Sequence, residues 1–83
     1  MMVEIVYFAW IRERIGKSRE TVTTDAATPR ELVAELSARD DGYQAAFADL
    51  GAVRVAVDQE LCGLDDSLEN AKEVAFFPPM TGG

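Results

Sequence analysis

The segment Met2–Trp10 has the sequence MVEIVYFAW, and its composition decides how the rest of the chain must be arranged around it. It is rich in β-branched and aromatic residues, which favour extended strands. Apolar side chains occupy both alternating sets of positions, with Glu4 the exception. Since successive side chains of a strand point to opposite faces, near-continuous apolarity predicts a central strand that is covered on both sides.

The residues that follow predict a hairpin partner for this strand. The segment Ile11–Gly16 is short, charged and closed by a glycine, which indicates a turn or a single turn of helix. Arg19–Thr24 alternates weakly, with Val22 flanked by threonines. It predicts a second, more exposed strand that pairs with the first.

A strong helix start follows at Thr28. Threonine suits the N-cap, Pro29 suits the first helical position, and Glu31 completes a capping box three residues after the cap. We expect a helix over Thr28–Arg39 with one apolar stripe facing the sheet. The residues of that stripe are Leu32, Val33 and Leu36.

A second, shorter helix is predicted after a weaker capping box that begins at Asp41. Its apolar residues recur at the spacing of one helical face. They are Tyr43, Ala46, Phe47 and Leu50. We expect Gly51 to end this helix, because glycine accepts the backbone geometry of a helix C-terminus.

Strand patterns then fill the remainder of the chain. Residues 53–58 alternate between apolar and polar, residues 59–63 predict a short edge segment, and Glu73–Phe77 predicts a last strand. Pro78 and Pro79 stop that strand, since they lack the N–H that a ladder needs. This order predicts an α+β fold of the ubiquitin-like β-grasp type. We expect one domain over residues 1–83, a mixed sheet of four or five strands with helices on one face, and residues 78–83 as an extended C-terminal tail.

Composition excludes several classes of function. Eight Lys and Arg against fifteen Asp and Glu give a formal net charge of −7, which argues against nucleic acid and favours basic protein partners. The chain has no histidine and a single cysteine, Cys62, so no Ser-His-Asp triad, His-metal site or intrachain disulfide is available. We interpret the paired aspartates at 40–41 and 65–66 as solvated caps, with no metal. No apolar run or basic leader predicts a membrane segment or a signal peptide, so we expect a cytoplasmic domain.

The tail PPMTGG at residues 78–83 carries the chemistry. Pro78 biases Phe77 toward extended geometry, and the two prolines continue that geometry into the tail. Gly82 and Gly83 have no side chain, so this tip can enter a narrow channel that a Cβ would block. An ATP-dependent partner could adenylate the carboxylate of Gly83. A Gly-Gly end alone is weak evidence, since many chains end in small flexible residues.

Four segments together resemble the small subunits of molybdopterin synthase, which are sulfur carriers with a ubiquitin-like β-grasp fold. They are VEIVYFAWIRERIG, TPRELVAEL, VAVDQEL and EVAFFPPMTGG. The resemblance extends over essentially the whole chain, and its last segment is the strongest signal. Met80 lies in the spacer between the two prolines and the Gly-Gly end, where no one residue type is required.

The resemblance implies a carrier that is not an enzyme on its own. A ubiquitin-activating-enzyme-like adenylyltransferase would use ATP to adenylate Gly83, which is then converted to a thiocarboxylate. Its sulfur would be delivered inside the large subunit to cyclic pyranopterin monophosphate, building the molybdopterin dithiolene. The family implies a heterotetramer in which Gly82 permits insertion of the tail into the large subunit. It implies no bound cofactor, only the covalent adenylate or 1-thioglycine at Gly83.

The same resemblance implies partner-binding residues. Phe8, Leu61 and Phe77 match apolar positions that contact the large subunit, and the tail adds four more. These are Pro78, Pro79, Met80 and Thr81. From the residues alone, Phe8 and Phe77 fit a core better than an interface, and the resemblance leaves the two roles equally open. Trp10 fits either the core or the interface. For Cys62 the sequence favours a small strand residue over a sulfur relay, because no neighbouring cation lowers its pKa.

Two other classes remain open at this point. One is a related carrier for thiamine or tRNA thiolation. The other is a ubiquitin-like modifier or binding module whose tail is joined to lysines or is inert. An independent enzyme is disfavoured, since the chain has no catalytic constellation of side chains. Four basic residues close together favour a solvated turn over a contact with the activating enzyme. They are Arg12, Arg14, Lys17 and Arg19.

Overall fold

The computed structural model describes residues 1–79, which build one five-stranded mixed sheet. Its strands are β1 (Met2–Tyr7), β2 (Arg19–Thr23), β3 (Arg54–Val57), β4 (Glu60–Cys62) and β5 (Glu73–Phe77). Their order across the sheet is β2-β1-β5-β3-β4. β1 and β5 are parallel, whereas the other neighbouring pairs are antiparallel. β5 lies at the centre of the sheet beside β1. The predicted bounds of β5 and the predicted edge position of β4 are confirmed.

The first strand is shorter than predicted, and the segment after it is a helix. β1 ends at Tyr7, and α1 (Ala9–Ile15) begins within the predicted strand. It continues through the segment for which the sequence left a turn or a single turn of helix open, and its seven residues make the helix longer than one turn. The spacing of Ile11 and Ile15 explains this, since residues four apart share one face of a helix and Ile11 is fully buried. Gly16 ends α1 with φ 88°, a left-handed conformation that glycine adopts without strain.

The two helices that cross the sheet begin at their side-chain caps. α2 (Pro29–Ser37) starts after Thr28, whose Oγ1 accepts the N–H of Glu31 at 3.2 Å, so the predicted cap is confirmed. α3 (Asp41–Ala46) is capped by Asp40, one residue before the predicted box, because Asp40 Oδ1 accepts the N–H of Gly42 at 2.8 Å.

The prediction for the end of α3 is wrong. The helix stops at Ala46, and Gly51 belongs to a separate 3₁₀ turn (Leu50–Ala52). That turn has its own cap, since Asp49 Oδ1 accepts the N–H of Gly51 at 3.0 Å. The local Asp49 cap competes with continuation of α3, so the apolar spacing of Leu50 does not extend the helix.

The hydrophobic core lies between the helices and one face of the sheet. The stripe of α2 is buried as predicted, with exposures of 0% for Leu32, 4% for Val33 and 1% for Leu36. Val3, Ile5 and Tyr7 of β1 face the same cluster, together with the central residues of the other strands. They are Val22, Val55, Val74 and Phe76.

The opposite side of the sheet, here called the open face, lies outside this cluster. Met2 is 70% exposed and Glu4 is half-exposed, so the prediction that β1 is covered on both sides is wrong. Val6 and Ala75 also point to the open face; each is shielded, yet neither belongs to the helix-side core. Since Val6 and Ala75 are buried within the chain, the exposed apolar surface of this face lies at its margins, at Met2 and Leu61.

A polar cluster around Glu20 joins β2 to β1 and α3. The hydroxyls of Tyr7 and Tyr43 donate to Glu20 Oε2 at 2.8 and 2.6 Å. Lys17 Nζ and Arg39 Nη1 each lie 3.4 Å from the other carboxylate oxygen, Glu20 Oε1. Burial, by itself unfavourable to the charge, is outweighed by these hydrogen bonds and the Lys17 cation, so the pKa of Glu20 falls below its usual value. Glu20 thus remains ionised inside a fully bonded cluster.

Candidate functional site

The strand register brings one apolar row across the open face. Val6 is opposite Ala75, Ala75 is opposite Ala56, and Ala56 is opposite Leu61. Directly paired residues of neighbouring strands point to the same side of a sheet. The row ends on the edge strand β4, where Leu61 is 74% exposed. Val6 and Ala75 are buried and Ala56 is half-buried, so Leu61 is the exposed residue of this row. An exposed leucine beside further apolar side chains is consistent with a protein-binding surface.

Two phenylalanines lie at the end of the open face where β5 finishes. The N–H of Phe8 donates to the carbonyl of Phe76 at 3.1 Å. Phe8 therefore lies next to the C-terminal end of β5, which is Phe77. Phe8 is the N-cap residue of α1 and is 46% exposed, while Phe77 is half-buried. Both residues lie beside the point at which the chain leaves the sheet.

The structure therefore decides between the alternatives that the sequence left open for two aromatic residues. Phe8 is not a core residue, because its strand has already ended and its side chain lies outside the buried cluster. Trp10 belongs to the helix side instead. It packs against the core from α1, with the Arg14 guanidinium 4.7 Å above its ring. Phe8, Leu61 and Phe77 share the open face, whereas Trp10 does not.

The base of the tail is the last part of the site that the structure describes. Pro78 and Pro79 are half-buried and follow Phe77 directly. Prolines at this point end the ladder and direct the chain away from the sheet. The other predicted site residues, Met80, Thr81, Gly82 and Gly83, lie outside the described residues.

The position of Leu61 depends on a residue that the sequence analysis did not single out. Asp58 and Gln59 form the two-residue turn between β3 and β4, both with positive φ. Asp58 Oδ1 accepts the N–H groups of Lys72 and Glu73, each at 2.9 Å. These backbone hydrogen bonds hold the pKa of Asp58 below its usual value. An aspartate between two alternating segments is a turn signal that could have identified it.

Cys62 is a structural residue of β4. It is half-buried and packs against the core from the edge of the sheet. Burial, together with the negative charge of Asp66, raises the pKa of its thiol, which disfavours the reactive thiolate. This agrees with the interpretation of Cys62 as a small strand residue.

The paired aspartates cap or tie loops, as the sequence predicts. Asp65 forms a two-pronged ion pair with Arg30, at 2.8 and 3.1 Å, and Asp66 accepts the N–H of Gly63 at 2.6 Å. Over residues 1–79, no three His, Cys, Asp or Glu side chains are placed to hold a metal ion. Nor does any helix in that part of the chain have the length and apolarity to cross a membrane.

The local basic cluster is engaged within the chain. Lys17 pairs with Glu20, Arg19 lies 3.3 Å from Glu4, and Arg14 stacks on Trp10. All four residues of the cluster are exposed, which agrees with the interpretation of it as solvated, but Arg12 and Arg14 lie on α1 and not in a turn.

A β-grasp domain with an apolar open face beside a proline-directed tail defines the class of ubiquitin-like carrier proteins. The ThiS family model matches residues 5–83 of the chain. The molybdopterin synthase sulfur carrier subunit of Escherichia coli is 38% identical over 82 residues, which covers 99% of this chain and 100% of that protein. The chain therefore belongs to the ThiS family, and to its molybdopterin synthase sulfur carrier subunits.

Two further comparisons agree with this assignment. The corresponding sulfur carrier subunit of Haemophilus influenzae is 35% identical, again over 99% of this chain and 100% of that protein. Among solved structures, the complex of subunits 1 and 2 of the molybdopterin-converting factor from Helicobacter pylori contains a chain of similar fold. It superposes with a TM-score of 0.66 at 26% identity, and 100% of each chain is covered.

Proposed function

We propose that this chain is the sulfur-carrier subunit of a molybdopterin synthase and that its reactive group is the carboxylate of Gly83. The observation that carries the proposal is the placement of Phe8, Leu61 and Phe77. All three lie on the open face, two of them beside the chain exit at Pro78. A partner that covers this face is positioned to receive the tail in the same binding event. The large subunit of the synthase is that partner, in a heterotetramer with one tail per active site.

The chemistry of Gly83 follows from the nature of a main-chain carboxylate. An α-carboxyl titrates near pH 3.5, so it is an anion in the cell and a poor electrophile. A ubiquitin-activating-enzyme-like adenylyltransferase joins it to AMP from ATP, with release of pyrophosphate. A sulfur donor then attacks the acyl carbon, and AMP leaves as the carbon–sulfur bond forms. With sulfide as the donated species no electrons are exchanged, and loss of the S–H proton leaves a thiocarboxylate at Gly83, which is a better nucleophile toward carbon.

The thiocarboxylate donates its sulfur to cyclic pyranopterin monophosphate within the large subunit. The dithiolene of molybdopterin contains two sulfurs, so two thiocarboxylated carriers are consumed for each pterin. The chain contributes no side-chain catalysis and holds no resident cofactor; its covalent states are the adenylate and the 1-thioglycine. Free thiols and thiocarboxylates persist in a reducing compartment, which places the cycle in the cytoplasm.

The test is intact mass spectrometry of the chain after incubation with its activating enzyme, ATP and a sulfur donor, followed by addition of the large subunit and the pterin precursor. We expect one oxygen to be replaced by sulfur at Gly83, and the change to reverse as the pterin is sulfurated. Deletion of Gly83 should abolish both steps. Extension by one residue moves the carboxylate by about 3.3–3.6 Å and should do the same. Cys62→Ser is the matched control and should leave both unchanged.

The outcomes separate the proposal from its alternatives. A thiocarboxylate that forms but does not sulfurate the pterin would assign the chain to another thiolation pathway. Attachment of the chain to lysines would identify a modifier. Sulfur transfer at the native rate by the Gly83 deletion would refute the carrier role altogether.

A further inference from the structure

Arg54 is a cation at the base of the tail. It is the first residue of β3 and is paired with Phe77, the last residue of β5. Paired residues share a face, so its side chain leaves the strand on the open side of the sheet, at the end where Pro78 begins the tail. It is exposed, as is Phe8 in the same region. A charged residue thus borders the apolar surface to which the proposed function assigns partner binding.

The guanidinium of Arg54 is held in place but is not neutralised. Its Nη1 donates to the carbonyls of Gly51 and Val53, at 3.0 and 3.2 Å. Other basic residues pair with carboxylates of the same chain, among them Arg19, Arg30 and Arg39. Within residues 1–79, Arg54 has no carboxylate at ion-pair distance. A guanidinium has five N–H donors in a rigid plane, and two backbone bonds to one nitrogen leave the others available for a second partner.

We infer that Arg54 is a specificity contact that pairs with a carboxylate side chain of the large subunit, at the mouth of the channel that takes the tail. This inference rests on the proposed function. When a partner covers Phe8 and Phe77, water is removed from around the guanidinium, and an unpaired cation there would oppose binding. A carboxylate supplies the complementary charge and matches the planar fork in a two-pronged arrangement.

The positive charge of Arg54 is opposite in sign to the net charge of the chain. A net charge of −7 predicts a partner that is basic over most of its docking surface. Arg54 predicts that this otherwise basic surface of the large subunit carries an acidic residue beside the mouth of the channel. A phosphate of ATP is a poorer match, because residues 78–83 can separate the base of the tail from the reacting carboxylate by up to about 20 Å. The pairing would therefore distinguish the large subunit from partners that lack this acid.

The test is titration calorimetry of the full chain against the large subunit, at low and at high salt. We expect Arg54→Gln to raise the dissociation constant about tenfold at low salt, and Arg54→Glu to raise it further through repulsion. Arg54→Lys keeps the charge without the fork and should retain part of the affinity. Arg14→Glu, an exposed change on α1 with the same effect on net charge, is the matched control and should alter affinity far less.

Arg54 also donates hydrogen bonds to the carbonyls of Gly51 and Val53, so its replacement can lower the stability of the fold. Urea unfolding of each variant measures that loss of stability separately from the loss of affinity. An affinity loss in Arg54→Gln that exceeds any loss of stability, with partial rescue by Arg54→Lys, supports the inference. Equal effects of Arg54→Glu and Arg14→Glu would overturn it, since net charge alone would then explain them. Slower adenylation with unchanged affinity for the large subunit would overturn it as well. If the unaltered chain does not bind the large subunit at all, the proposed function itself fails.

Discussion

Truncation of Leu61 to alanine separates partner binding from folding more cleanly than any other change on the open face. The substitution removes three carbons, which are worth about 2.4 kcal/mol when fully buried, at about 0.8 kcal/mol for each. Leu61 is 74% exposed in the free chain. About 1.8 kcal/mol of the total is therefore realised only when a partner covers the side chain, and about 0.6 kcal/mol contributes to the fold.

The expected result is a dissociation constant about twentyfold higher for the large subunit, with the urea midpoint lowered by only about 0.2–0.6 M. Titration calorimetry and urea unfolding of the same preparation measure the two quantities. Leu32→Ala is the control, because Leu32 is 0% exposed and its truncation should cost about 2–5 kcal/mol of stability. Unchanged affinity in Leu61→Ala, or a stability loss like that of Leu32→Ala, would show that Leu61 is not an interface residue.

Two further predictions concern the fold. Leu36→Ala should lower the free energy of unfolding by about 2–5 kcal/mol, since Leu36 is 1% exposed beneath α2; a loss near zero in urea unfolding would contradict that packing. The lowered pKa of Glu20 means that its ionised form stabilises the fold above the usual glutamate pKa of about 4.3. This contribution is lost as the pH falls through the folded-state pKa. Glu20→Gln should therefore be less stable than the unaltered chain at neutral pH, with the difference shrinking below about pH 4. Urea midpoints measured across that range test this against the exposed control Glu13→Gln, and a difference independent of pH would refute it.

The interpretation of the open face explains a feature that folding alone does not. Val6, Ala56, Ala75 and Leu61 form one row across the sheet, yet Val6 and Ala75 do not belong to the helix-side core. A chain of this size has little apolar surface to spare. Val6 and Ala75 are buried, so the surface that is consistent with a partner is the exposed margin of this face, at Leu61 and Phe8.

The local elements of this fold could be predicted from the sequence because their causes lie within a few residues. Thr28, Pro29 and Glu31 specify the start of α2 through one side-chain bond and one fixed φ. Pro78 specifies the end of β5 by removing a donor. The family was likewise accessible, since it depends on the residues present and their order along the chain. The chemistry of Gly83 stays a prediction.

Around the end of β1, the tertiary structure alone decided which apolar residues are buried and which remain exposed. Phe8 and Ile11 are both large and apolar and lie three residues apart, yet Ile11 is at 0% exposure and Phe8 at 46%. The cause is the end of β1 at Tyr7 and the turn into α1, which direct Ile11 to the core and leave Phe8 on the open face. The pairing of Arg54 with Phe77 also joins residues far apart in sequence. Such placements depend on long-range strand register, which local spacing does not specify.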